Sequence, residues 1–154
     1  MYQNSLIAHS LFRWLVLISL VYAIYRAYRG WFTQRPFTKL DKRVRLWATT
    51  ISHIQLVLGI WMYFMSPLVS YFWTDVSQTI HERYPRFFGL EHASIMILAI
   101  IIITIGSAKS KRKTTDKEKF KTMATWYTVG LVLIFANIPW SFSPLVSRPE
   151  FWMF

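Results

Sequence analysis

The chain contains no cysteine, which excludes disulfides, thiolate-held iron–sulfur clusters, covalently attached c-type haem and thiol catalysis. Any redox chemistry must therefore come from a bound cofactor. Glycine is scarce, five in 154 residues, and the five stand singly, so no Gly-rich phosphate loop is present. The HExxH metal motif, the nucleophile elbow and internal repeats are missing as well. Acidic residues are few, seven against 18 Lys and Arg, for a net charge of +11. Such a balance suits either nucleic-acid binding or membrane topology, and the placement of the cations decides between them.

What the chain has in quantity is apolar sequence. Four runs, at about residues 5–25, 46–66, 87–107 and 123–142, approach the twenty or so residues that cross a hydrocarbon core of about 30 Å. They take up more than half of the 154 residues and leave no room for a sizeable soluble domain. The pattern predicts a single all-α transmembrane domain over 1–154, an integral membrane four-helix bundle running up-down-up-down. Arg26, Arg29, Arg35, Lys39, Lys42, Arg43 and Arg45 flank or fill the first connection, and Lys109, Lys111, Arg112, Lys113, Lys117, Lys119 and Lys121 fill the third. The other side carries only Arg83, Arg86 and Arg148 outside the spans. The positive-inside rule then puts both basic connections in the cytoplasm and both termini in the periplasm. Position thus favours topology, with membrane lipid rather than nucleic acid as the partner. A solvated loop is the plainer reading of the Lys-rich third connection, and contact with anionic headgroups is the alternative. The first run is long and basic residues follow it, so it reads as a retained span and not as a signal peptide.

The second connection, about 67–86, mixes Tyr71, Phe72, Trp73 and Tyr84 with Asp75, His81 and Glu82, a composition that suits a short interfacial helix. Trp61, Trp73, Trp140 and Trp152 fall near or beyond the outer boundary, where indole rings anchor at headgroup depth.

Three of the four histidines, His9, His53 and His92, lie inside the apolar runs, where each imidazole needs a partner, a metal or a proton path. At a rise of roughly 1.5 Å per residue, His9 and His92 sit about 6 and 7 Å below the outer ends of their helices, and His53 about 20 Å below. Diagonal helices of a bundle lie some 11 to 14 Å apart if adjacent axes are about 8 to 10 Å apart, a gap that suits a porphyrin between two inward imidazoles. His9 and His92 are therefore the candidate axial ligands of a b-type haem. Arg13 shares the helix face of His9 and is placed to neutralise a haem propionate or a quinone oxygen, or else to snorkel outward or pair with Glu91. His53 is a candidate third ligand or proton relay, with a carbonyl-bonded buried histidine as the plain alternative. Trp14 and Trp140 are candidates to line the pocket, or to serve only in packing. A copper or zinc site built from His9, His53 and His92 is chemically suitable, but the offset of about 13 Å along the bundle opposes it.

The segments HSLFRW at His9, HIQLVLG at His53, EHASIM at His92 and IPWSF at Ile138–Phe142 resemble the small four-helix membrane proteins of Bacteroidetes labelled cytochrome B, over nearly the whole chain. The resemblance implies a b-type haem protein of a respiratory or quinone-linked system in a bacterial inner membrane. The expectation is an electron-transfer protein that carries haem b, with quinone as a second cofactor, acting as a homo-oligomer or as a subunit of a larger complex. Its thin loops favour such a subunit over a self-sufficient enzyme. The alternative is a non-redox accessory or assembly subunit whose histidines meet a partner protein.

Overall fold

The structure, a computed structural model, describes residues 2–140. These are helical with no strands. Helix α1 (Tyr2–Thr33) has neither proline nor glycine before Gly30. It stops where Gln34 takes a left-handed conformation (φ 52°) and Pro36 follows. Helix α2 (Lys39–Met65) opens on a reciprocal capping box. The Asp41 N–H donates to Thr38 Oγ1 at 3.4 Å and the Thr38 N–H donates to Asp41 Oδ2 at 2.9 Å. The same carboxylate, 1% exposed, accepts from Arg26 Nε at 2.9 Å and from both Arg35 terminal nitrogens at 2.7 and 2.8 Å. One acid therefore ties the end of α1, the connection and the start of α2 together.

Ser66 closes α2 and caps the next helix, with Pro67 in its first turn. The second connection folds as three short helices, α3 (Pro67–Thr74), α4 (Val76–Thr79) and α5 (Arg83–Arg86). A π-helical turn, Phe87–Glu91, leads into α6 (His92–Arg112). Helix α7 (Asp116–Asn137) starts on Thr115, whose hydroxyl accepts from the Glu118 N–H at 3.3 Å.

The four long helices touch in a ring: α1 packs on α2 and α7, and α6 packs on α2 and α7. Small residues let them approach, with Ala23, Ala27, Ala48, Ala99 and Ala124 all buried. At Gly130 a side chain would collide with Ile103, so α6 and α7 meet there backbone to side chain. Much of the apolar surface faces outward, including Ile18 at 65%, Val57 at 65% and Phe64 at 82% exposure. In water such a surface would aggregate, whereas in lipid it is the expected exterior.

Three helical stretches, Tyr2–Thr33, Lys39–Met65 and Arg83–Arg112, are long and apolar enough to cross a membrane. The fourth expected span, 123–142, differs. Its helix begins seven residues earlier, at charged Asp116, and ends at Asn137. The part of α7 free of charged residues, 122–137, is 16 residues long, roughly 24 Å of helix. Trp152, Arg148 and the last two residues of IPWSF lie outside the described residues.

Candidate functional site

A cavity of about 420 Å³ lies among α1, α2, α3, α6 and the end of α7, with a mainly apolar wall. Two imidazoles, a guanidinium and a carboxamide interrupt that wall: His9 and Arg13 from α1, Gln55 from α2 and His92 from α6. Its volume falls within the range of roughly 300–1,000 Å³ typical of cofactor and ligand sites.

Local structure sets the orientation of His92. The backbone widens into the π-helical turn directly before it, where the His92 N–H donates to the Phe87 carbonyl five residues back. Such turns concentrate at functional sites because they re-aim the side chains that follow. The rings of Phe87 and Phe88 flank the imidazole at centroid distances of 5.7 and 6.2 Å. His92 Nδ1 lies 2.8 Å from the carbonyl oxygen of Asn137. A carbonyl can only accept, so Nδ1 carries the proton and Nε2 of the neutral ring is left with its lone pair. A backbone carbonyl holding one nitrogen in this way is the usual support of a metal-ligating histidine.

His9 is held from the facing helix. Gln55 Nε2 donates to the His9 carbonyl oxygen at 2.9 Å and lies 3.3 Å from His9 Nε2. The carbonyl fixes the orientation of the amide, so its second N–H is directed at Nε2, which is the proton-free nitrogen of the ring. Two atoms in this corner, His9 Nδ1 and Gln55 Oε1, are buried without a hydrogen-bond partner. Unsatisfied polar atoms are costly inside an apolar helix bundle, and their concentration here marks a place suited to a polar ligand. Room for the ring comes from Gly59, where a Cβ would stand 3.1 Å from His9 Cε1.

Short helix α3 covers one side of the cavity through a chain of bonds. Trp73 Nε1 donates to the Tyr63 hydroxyl at 2.8 Å, and that hydroxyl donates to the Gly89 carbonyl at 2.7 Å. Tyr2 and Ser66 meet beside it, hydroxyl to hydroxyl, at 3.4 Å. The cover and the turn that leads into His92 are thus one bonded unit.

No family model, curated protein or solved structure matches this chain. Its residues and their geometry must carry the functional reading.

The structure brings His9, His92 and Arg13 to one cavity and sets His53 apart. His53 is exposed on the outer face of α2 and its Nε2 lies 2.8 Å from Thr104 Oγ1 on α6. Among the described residues, no group of three or more His, Asp or Glu side chains is placed to hold a metal ion. The three-imidazole copper or zinc site is not formed, because His53 faces away from the other two. Glu91 does not pair with Arg13; it binds Arg86 at 2.7 Å. The Arg13 guanidinium lies 5.4 Å from the Trp14 ring and 5.8 Å from the Trp140 ring. Those indoles, edge to face at 6.1 Å, do not line the cavity but flank the cation that does.

No residue pattern points to the Asn137 carbonyl, since any residue type would supply one. Gln55 did leave a signal, since a carboxamide in a lipid-length apolar run needs a partner as much as an imidazole does. Its three-dimensional partner is on another helix, which spacing along α2 does not disclose.

Proposed function

We propose that the protein is a b-type haem membrane protein of electron transfer, with His9 and His92 as the axial ligands. The observation that carries the reading is the bond from His92 Nδ1 to the Asn137 carbonyl, which leaves Nε2 proton-free in the cavity that His9 also lines. The donor set fits the group: two neutral imidazoles from helices that do not adjoin in the ring, an apolar wall and one cation. Bound there, haem b supplies one-electron chemistry.

The chain's own residues do the rest. Asn137 and Gln55 fix which nitrogen of each imidazole carries the lone pair, Arg13 offers positive charge for a propionate, and the apolar wall excludes water. The same reading takes the chain as a four-helix up-down-up-down bundle in a bacterial inner membrane. Both basic connections face the cytoplasm under the positive-inside rule, and the termini face the periplasm. With little chain outside the spans, electrons pass to or from quinone or a neighbouring subunit, and the protein works as an oligomer or as part of a larger complex.

A quinone in the same cavity is the second reading, favoured by the buried and partnerless His9 Nδ1. With Nε2 accepting from Gln55, Nδ1 carries a proton suited to a quinone carbonyl. The test is the haem and quinone content of the chain purified from haem-replete cells. Stoichiometric protohaem supports the first reading; quinone without haem supports the second. Neither cofactor overturns both and leaves the accessory-subunit alternative.

A further inference from the structure

The basic end of the molecule carries a second concavity, a groove of about 230 Å³ between α1 and α2, remote from the histidines. Its walls are aromatic, with Tyr22 on α1 and Trp47 on α2 exposed by 45% and 62%. Its floor is small and apolar in effect. Ala48 is buried, and Ser19 turns its hydroxyl back onto the Val16 carbonyl at 3.0 Å. A groove of this size and polarity takes part of one hydrocarbon chain and offers no polar partner along its length.

The head of the groove is cationic. Arg43 lines it, is exposed, and has no hydrogen bond or ion pair with any described residue. The nearest acid in sequence cannot neutralise it, because Asp41 is engaged by Arg26, Arg35 and Thr38. Arg26 is also directed toward the groove, donating to the Tyr22 hydroxyl at 3.4 Å. Arg43 and Trp47 are four residues apart on α2, so the charge sits about 6 Å beyond the indole along the axis. That separation matches a phosphate at headgroup level above an indole at the interface.

We propose that this groove is a specific site for an anionic phospholipid, with the phosphate on Arg43 and one acyl chain between Tyr22 and Trp47. Charge complementarity selects the occupant. An unpaired guanidinium at the mouth of an apolar groove suits an anion covalently attached to a hydrocarbon chain, and its planar fork binds phosphate in bidentate fashion. The inference rests on α1 and α2 crossing the bilayer with this end in the anionic leaflet, and is independent of haem.

Native mass spectrometry of the full chain in detergent, titrated with phosphatidylglycerol or phosphatidylcholine of matched chains, tests it. The unaltered chain is expected to retain phosphatidylglycerol preferentially. Arg43→Ala is expected to weaken that binding about fivefold, near 1 kcal/mol. Trp47→Ala is expected to weaken it as well. Lys117→Ala, an exposed cation on the other basic connection, is expected to leave it unchanged. Equal retention of the two lipids, or equal loss in Arg43→Ala and Lys117→Ala, would overturn the proposal. Cofactor content in Arg43→Ala stays at the level of the unaltered chain, so this result and the haem result fail separately.

Discussion

The Gln55 carboxamide nitrogen bridges the His9 backbone and its ring, 2.9 Å from the carbonyl oxygen and 3.3 Å from Nε2. The first bond holds the amide in place, and the second, at the long end of the hydrogen-bond range, occupies the one lone pair of Nε2, so the amide must swing aside before that nitrogen can ligate iron. Position 55 therefore controls the tautomer of His9. Gln55→Leu removes the donor and leaves Nε2 available, so cofactor is expected to be retained. Gln55→Glu supplies an acceptor that draws the proton to Nε2, and ligation is expected to fail as in His9→Ala. Absorption spectra of the two purified variants check this, and identical spectra would refute control of the tautomer.

Gly59 leaves the space in which the His9 ring stands. Gly59→Ala adds a methyl that a shift of a few tenths of an ångström accommodates. Gly59→Leu drives a branched chain into the imidazole, at a cost of roughly 1–3 kcal/mol for overpacking. Near-normal cofactor content in the first variant and a loss in the second are expected, with helical circular dichroism preserved in both.

Asp41 is a structural hinge-pin with no role at the cavity. Asp41→Ala leaves Arg26 and Arg35 without their shared carboxylate and deletes the reciprocal cap. A fully buried ion pair costs about 3–5 kcal/mol when one partner is removed. Both arginines are partly exposed, at 20% and 25%, so solvent reduces that figure to roughly 2–3 kcal/mol. Denaturation in mixed micelles measures the loss, and cofactor content per folded chain should not change.

His53 and Thr104 form an interhelical bond on the outer face at 2.8 Å. Bonds of this kind in membrane helices contribute about 0.6 kcal/mol on average. A double-mutant cycle with His53→Ala and Thr104→Val is expected to return a coupling of that size and no change in the cavity. A coupling near zero would mean that the imidazole is held by something else.

Much of the architecture was legible because lipid imposes it. Apolar runs of membrane length foretold the three long helical stretches, and the aromatic second connection suited one short helix where the structure has three. The fourth helix was misjudged at both ends. Thr115 caps it well before the apolar run begins, and it ends at Asn137 before the proline at 139. A hydropathy pattern records partition into lipid and not backbone hydrogen bonding. At the site, depth along the helix placed His9 and His92 at one level, and both line the cavity. The direction in which His53 faces was not legible, since its helix is apolar on several sides and only packing distinguishes them. The pairing of Gln55 with His9 arises from two helices far apart in sequence and has no local signature.

The most direct measurement is the reduced-minus-oxidised absorption spectrum of the purified chain beside His9→Ala, His92→Ala and His53→Ala. A low-spin b-type spectrum lost in the first two variants and kept in the third is expected from the shared cavity and from the outward position of His53. A spectrum that survives His92→Ala and vanishes in His53→Ala would contradict it and move the site to the other face of α2.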